Sequence, residues 1–203
     1  MNSILTVTTA ADSQDLVSLA AAKTDLGISG TSEDARLSAW ISQASGMIAT
    51  ECNRVFGLET LSEKFRPTTS AERLILSRYP ISTITSVTED TTVVDADDYE
   101  ADNEPGLLFR LISDSRTCWT AAKIVVVYTA GYSLPTGVPE GLKRACLSLV
   151  KLMRAQATRD PLAKRIEIPD VMTTDYWVGS MGENGAMPPD VLDLIAPYKN
   201  WRV

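Results

Sequence analysis

The chain has 203 residues, of which 44% are hydrophobic and 22% charged, and its formal net charge is −7. This composition is ordinary for a folded protein, so neither a wholly disordered chain nor a fibrous repeat is expected. The acidic excess argues against a protein that grips nucleic acid, because phosphate binding needs a surplus of Lys and Arg. The longest apolar run, residues 124–128, is far shorter than the roughly 20 residues of a membrane helix, so no membrane association is expected.

Two helices are predicted in the first part of the chain. The first, near residues 18–27, is Ala-rich and lies between Ser18, a preferred N-cap residue, and Gly27, which favours a helix end. The second, near residues 32–55, has apolar residues at three- and four-residue steps, which predicts one buried stripe. The stripe residues predicted to pack in a helical core are Leu37, Trp40, Ile41, Ala44 and Ile48.

Residues 58–131 have a different pattern. Short runs rich in β-branched and aromatic residues alternate with residues that suit tight turns. This alternation predicts an inserted antiparallel β domain. The residues before it, 1–57, are assigned to the first part of the helical core.

An acidic run lies inside this predicted β insert, where residues 89–104 include eight acidic residues and no basic one. The run lacks the central Gly and the terminal Glu of an EF-hand loop, so a solvated hairpin edge is favoured over a metal site. In an assembly, these carboxylates could meet a basic face of a neighbouring subunit; two separately solvated surfaces are the alternative. The residues concerned are Asp95, Asp97, Asp98, Glu100 and Asp102.

A third helix is predicted near residues 139–157, where Pro139 and Glu140 suit the first helical turn. Its apolar residues repeat the three- and four-residue spacing, whereas Lys and Arg occupy other positions around the helix. We expect it to pack on the stripe of the second helix, so that residues 132–157 complete the helical core. The core residues predicted on this helix are Leu142, Cys146, Leu149 and Met153.

Residues 158–203 are predicted to form an extended arm that ends in a short helix from Pro189 to Ile195. Isolated strand pairs are expected near residues 166–168 and 175–178. Trp177 and Trp201 lie in segments with little capacity to form a core, so they either fold back on this subunit or anchor a partner. The enrichment of aromatic residues at interfaces favours a partner, and we expect the tail to order only on docking.

The residues offer little chemistry for catalysis. The chain has no histidine, and no nucleophile elbow, phosphate loop or dinucleotide fingerprint occurs, which argues against an enzyme. Cys52, Cys118 and Cys146 lie far apart without partners at metal-ligand spacing, so buried thiols are expected and no metal or cofactor is predicted. The N-terminal residues lack the basic residues of a secretory signal, which predicts synthesis in the cytoplasm.

Four stretches, in this order and spacing, resemble the head-tail connector (adaptor) family of tailed bacteriophages, which includes gene-transfer-agent-like adaptors. They are residues 16–28, residues 34–54, residues 125–143 and residues 192–199. The third runs from a Val-rich strand through Thr-Ala-Gly-Tyr to the Val-Pro-Glu start of a helix. The fourth is similar to the family's closing Leu-Leu-x-Pro-Tyr-Arg signature, with Lys199 in place of Arg.

This resemblance implies a virion protein of the head-tail junction, or neck, that forms a homo-oligomeric and commonly dodecameric ring. The ring would lie below the portal protein, hold a stopper or tail-terminator protein at its other end, and let double-stranded DNA pass through its lumen without sequence preference. In such a ring the acidic run could face the DNA channel. The alternatives are a tail-completion or neck protein of a different fold, and an enzyme. In such relatives the C-terminal region reaches toward the portal, which implies portal binding by Leu192, Leu194, Ile195, Pro197, Tyr198 and Trp201.

Overall fold

The computed structural model describes residues 3–157, 165–168, 172–175 and 187–200. These residues form four α-helices and antiparallel β-sheets, which confirms the predicted α+β class. The chain divides into two compact units. The β unit comprises Met1–Gln14 and Val55–Gly137, and the helical unit comprises Asp15–Arg54 and Val138–Val203. None of the helices in the described ranges is long and apolar enough to span a membrane.

Three helices form the helical unit before the C-terminal segment: α1 (Leu19–Leu26), α2 (Asp34–Glu51) and α3 (Glu140–Ala157). The ends of α1 follow the sequence signals. The Ser18 hydroxyl accepts a hydrogen bond from the Ala21 N–H at 3.2 Å, and Gly27 adopts the left-handed conformation that ends the helix. Local capping therefore defines where α1 begins and ends.

Helices α2 and α3 pack against each other through their apolar stripes, and the Ser45 hydroxyl lies 3.7 Å from the Cys146 sulfur at their contact. Trp40 and Met153 differ from the predicted core role, because both remain partly exposed. Trp40 lies at the margin of the stripe, where the Arg36 guanidinium is 5.9 Å from its ring centroid. The other predicted core residues are buried: Leu37, Ile41, Ala44, Ile48, Leu142, Cys146 and Leu149.

The β unit contains two antiparallel sheets. The five-stranded sheet has the order β1-β2-β9-β4-β5, and the second sheet has the order β3-β7-β6, with β8 paired to β7. Inward-facing residues of both sheets form one core, in which Trp119, Tyr128 and Phe65 are the largest buried side chains. The strands are β1 (Ser3–Thr9), β2 (Glu59–Phe65), β3 (Leu74–Ile75), β4 (Ile81–Glu89), β5 (Thr92–Val94), β6 (Tyr99–Asp102), β7 (Leu107–Ile112), β8 (Ser115–Thr117) and β9 (Ile124–Ala130).

Strand β1 corrects the assignment of residues 1–57 to the helical core. It pairs with β2 from Ser3 opposite Phe65 to Thr9 opposite Thr60, and so belongs to the β unit. The sequence did not reveal it because most of its residues are exposed, which removes the alternation of apolar and polar residues that marks a half-buried strand. The short polar strand β8 was missed for the same reason.

A buried carboxylate connects four segments of the β unit. Glu63 of β2 has no exposed surface, and its oxygens accept hydrogen bonds from the Ser3 hydroxyl (2.5 Å) and the Ser77 N–H (2.9 Å). The Ser77 hydroxyl (2.6 Å) and the Tyr128 hydroxyl (2.8 Å) complete this set of donors. Burial, followed by the nearby Glu63 charge, raises the pKa of Tyr128 far above its ordinary value. Glu63 therefore links β1, the residues after β3, and β9 to β2.

The Thr-Ala-Gly-Tyr segment at the end of β9 has a structural explanation. Gly131 has φ +111°, and a Cβ there would collide with the carbonyl of Gly57. The Gly131 N–H donates to the Pro80 carbonyl at 2.9 Å, and the next residue, Tyr132, donates to the Phe56 carbonyl at 2.8 Å. A glycine is required here because two backbones approach closely and the conformation is left-handed.

Candidate functional site

The predicted portal-binding segment folds back on its own helical unit. It comprises α4 (Pro189–Ile195) and a 3-10 helix (Ala196–Tyr198). Val191 and Ile195 have no exposed surface. Two polar contacts attach the end of the segment to α2: the Asn200 N–H donates to the Cys52 carbonyl at 2.8 Å, and the Lys199 ammonium lies 2.6 Å from the Glu51 carboxylate.

Close packing also joins this segment to the start of α3. A Cβ placed on Gly141 would lie 3.2 Å from the Tyr198 hydroxyl oxygen and 3.5 Å from the Leu194 carbonyl oxygen. A side chain at Gly141 would therefore press on Tyr198, whereas the Leu194 carbonyl oxygen would lie at ordinary contact distance. Tyr198, from the Pro-Tyr pair of the closing signature, therefore lies next to the first turn of α3.

The structure corrects the expectation of a tail that stays detached until docking. Ile195 was assigned to portal contact, but its side chain is fully buried in the helical unit because α4 places it on the same face as Val191. Pro197 is exposed, and Leu192, Leu194 and Tyr198 are partly exposed, so these four remain accessible. Trp201 lies outside the described residues.

Most of the predicted arm, residues 158–188, also lies outside the described residues, including Tyr176, Trp177 and Met181. Within it, β10 (Arg165–Ile168) and β11 (Met172–Asp175) form a two-stranded antiparallel sheet. The first strand coincides with the predicted run at residues 166–168. The second strand precedes the run predicted at residues 175–178, so the two overlap only at Asp175.

Two arginines on neighbouring strands form ion pairs with carboxylates of the acidic run. Arg110 of β7 lies 3.6 Å from the Asp98 carboxylate and 3.4 Å from the Glu89 carboxylate, and Arg116 of β8 lies 2.9 Å from Glu100. The sequence reading missed these cations because strand pairing, not proximity along the chain, brings them to the run.

The five other members of the acidic run are exposed: Asp90, Asp95, Asp97, Asp102 and Glu104. The Asp95 carboxylate caps a short 3-10 helix, since it accepts a hydrogen bond from the Asp97 N–H at 3.2 Å. Among the described residues no group of three or more Cys, Asp or Glu side chains is arranged to hold a metal ion. The run is thus a partly neutralised surface whose remaining charge lies at its exposed carboxylates.

Several basic residues of the helical unit are also engaged in ion pairs. Arg154 donates two hydrogen bonds to Glu33, at 3.1 and 3.2 Å, and these bonds lower the pKa of Glu33. Lys151 lies 2.8 Å from Asp25, and Lys143 lies 2.8 Å from Glu140. A groove lined by Glu33, Arg36, Trp40, Lys151 and Arg154 therefore contains one carboxylate and three cations, of which Arg154 and Lys151 are held in these ion pairs.

The three cysteines are free thiols, as expected from their spacing. Cys52 and Cys146 are buried, and this burial raises the pKa of each thiol to about 11. Cys118 is partly exposed, so the expectation of a buried thiol was wrong for this residue. A buried thiol with a raised pKa is a poor nucleophile, because the thiolate is the reactive form.

The fold is similar to that of proteins in gene transfer agent (GTA) particles. The matches are to the neck of an empty GTA particle computed with C6 symmetry (TM-score 0.60), the neck of a native GTA particle computed with C12 symmetry (0.59) and the virion of the native GTA particle (0.57). Each has 17% sequence identity and covers 98% of this chain and 97% of the other. No curated protein sequence matches this chain significantly.

A family model for the head completion protein matches residues 15–161, which is most of the chain. The matched region begins with the helical unit, passes through the β unit and ends just after α3. The resemblance to phage head-tail connectors is thereby confirmed. This chain belongs to the head completion protein family, a class of non-enzymatic structural proteins of the virion's head-tail junction.

Proposed function

We propose that this chain forms a ring in the neck, below the portal protein, and joins the capsid vertex to a stopper or tail-terminator protein. One observation carries the proposal: the fold likeness to a GTA neck computed with C12 symmetry extends over 98% of the chain. A twelve-subunit ring is the stoichiometry that this likeness favours. A neck or tail-completion protein of a different fold is disfavoured, because that rival would lack the helical core interrupted by a β unit.

The proposed portal contact uses the accessible side chains of the C-terminal segment. Leu192, Leu194, Pro197 and Tyr198 are accessible, whereas Val191 and Ile195 hold the segment to the helical unit. Apolar side chains on a segment that is already ordered can be buried by a partner without a large ordering cost. The portal would therefore bind a preformed surface.

The proposed lumen passes double-stranded DNA without gripping it. The net charge of −7 and the exposed carboxylates of Asp97 and Asp102 favour repulsion of phosphates over binding. Arg110 and Arg116 are already paired with carboxylates of their own subunit, which reduces their availability to DNA. A channel wall of this kind would leave DNA mobile during packaging and ejection.

The proposal is tested with particles produced in cells that lack this chain. We expect DNA-filled heads without tails, and we expect purified chain to restore tail attachment. Electron microscopy counts tailed particles, and quantitative immunoblotting measures about twelve copies per particle if the proposed stoichiometry is correct. Normal tailed particles without the chain would refute the function.

Two substitutions separate portal contact from folding. Leu192→Asp places a charge on the proposed contact surface, and Gln43→Asp places the same charge on an exposed position of α2, outside that surface. Both proteins should unfold at similar temperatures, whereas only Leu192→Asp should reduce binding to portal-containing heads, by about tenfold or more for a buried apolar contact. Equal binding by the two variants would remove α4 from the portal interface.

A further inference from the structure

The two most exposed large apolar side chains among the described residues lie at opposite edges of the five-stranded sheet. Ile4 of β1 is 64% exposed and Val93 of β5 is 68% exposed. The strand registers place both in one row: Ile4 is opposite Lys64, Lys64 opposite Val125, Val125 opposite Thr88, and Thr88 opposite Val93. Paired residues point to the same face of a sheet. One cross-strand row therefore ends in an exposed aliphatic side chain at each edge.

Both edges also have free hydrogen-bonding capacity. In the described part of the chain β1 pairs with β2 alone, and β5 pairs with β4 alone. Natural edge strands commonly carry charged residues or proline, which discourage pairing with other chains. The sequences of β1, Ser-Ile-Leu-Thr-Val-Thr-Thr, and of β5, Thr-Val-Val, contain neither. Each edge can accept another strand without burying a charge.

The acidic residues that flank β5 do not prevent such pairing, because each is held by its own subunit. The Glu89 carboxylate lies 3.4 Å from Arg110, and the Asp90 carboxylate accepts a hydrogen bond from the Lys123 N–H at 2.9 Å. Asp95 on the other side caps a 3-10 helix. A second copy of this acidic chain can therefore approach the neutral edge between these carboxylates.

We infer that β5 of one copy pairs with β1 of the next copy, so that the five-stranded sheet continues across the subunit boundary; this inference rests on the proposed ring. The two edges are different surfaces, and contacts between different surfaces of identical subunits generate rings when the rotation closes. Neighbours in the sheet are all antiparallel, so β1 and β5, the first and last of five strands, run in the same direction.

The direction of the strands predicts the geometry of the contact. Neighbouring subunits of a large ring are related by a small rotation, so β5 and the next β1 pair in parallel, with Val93 beside Ile4. Pairing of β1 with a second β1 would instead be two-fold and antiparallel, and would give a closed dimer. The identity of the crosslinked residues therefore distinguishes the two arrangements.

The test uses cysteine pairs in assembled particles. Ile4→Cys and Val93→Cys are introduced together in a Cys118→Ser background, and particles containing this chain are treated with a short bismaleimide crosslinker. Neighbouring strands of a sheet lie about 4.7–4.9 Å apart, which the reagent can bridge. We expect most of the chain to shift from the monomer band to a ladder of covalent oligomers, whereas either single cysteine leaves the monomer band unchanged.

A matched control pairs Val93→Cys with Ile112→Cys, because Ile112 is 59% exposed but lies on β7 in the other sheet. That pair should give no ladder. Particles that contain the double variant but show no ladder, or a dimer with Ile4→Cys alone, overturn the inference and leave the proposed function standing.

A second measurement tests the inference without any substitution, in case the cysteine variants fail to assemble. Strands β5 and β1 of adjacent subunits can be traced by cryo-electron microscopy of wild-type particles. A gap between them overturns the inference, whereas absence of the chain from the neck overturns the proposed function as well.

Discussion

Glu63→Ala should destabilise the β unit more than any surface substitution. The carboxylate accepts four hydrogen bonds, and its removal leaves the Tyr128 hydroxyl buried without its acceptor. A hydrogen bond to a charged group contributes about 1.5–3 kcal/mol, and an unsatisfied buried donor costs about 1–3 kcal/mol. Ser77 is exposed and Ser3 is partly exposed, so their donors can bind water. We therefore expect a loss of about 3–5 kcal/mol in the free energy of unfolding.

The assay is urea denaturation followed by circular dichroism and by tryptophan fluorescence, to which the buried Trp119 contributes. Lys64→Ala is the matched control, because Lys64 is the next residue of β2 and is exposed. It should change stability by less than about 0.5 kcal/mol. If the free energy of unfolding has the same slope against urea concentration in both variants as in the wild type, the difference is one of stability and not of the compactness of the denatured state.

A double substitution tests the physical cause. Replacing both partners of a buried hydrogen bond by apolar groups is far less costly than removing one. Glu63→Leu combined with Tyr128→Phe should therefore be more stable than Glu63→Leu alone. The reasoning is refuted if Glu63→Ala costs less than about 1 kcal/mol, or if Tyr128→Phe brings no recovery in the Glu63→Leu background.

Three further outcomes are expected. Ile195→Ala should lower the free energy of unfolding of the helical unit by about 2–5 kcal/mol in urea, because it empties a fully buried site. Arg154 lowers the pKa of Glu33 in the folded state, so the stabilisation from this pair is present above the ordinary pKa of Glu33 and is lost as the pH falls through the lowered pKa. Arg154→Ala should therefore reduce the dependence of the melting temperature on pH over this range. A thiol reagent at pH 8 should modify Cys118 alone in the native protein and all three cysteines in urea.

The helices were predictable because their signals are local. Ser18 and Gly27 mark the ends of α1, and the predicted range of α4, Pro189 to Ile195, is the observed one. The stripes of α2 and α3 were also readable, since each helix buries one face. Residues at the margin of a stripe are harder to predict. Trp40 was predicted to be buried but is partly exposed, because an amphipathic pattern does not show how far the partner helix extends over the stripe.

The features that were missed depend on contacts distant in the sequence. Strand β1 forms only because β2, more than fifty residues later, offers it an edge. Glu63 reads as a polar position on a strand, and its four donors come from three other segments. Ile195 was interpreted as a portal contact because the family resemblance supplied a role for the tail. Spacing alone could have paired it with Val191 on one buried face of α4.

The packed C-terminal segment changes how the proposed assembly would be driven. A tail that orders on docking loses conformational entropy at that moment, which weakens binding for a given buried area. Residues 187–200 are instead held by Val191, Ile195 and the Lys199–Glu51 ion pair before any partner arrives. The conformational entropy of this segment is then lost when the subunit folds and not when it binds its partner. Substitutions that loosen α4, such as Ile195→Ala, should accordingly weaken the proposed portal binding even though this side chain is buried in its own subunit.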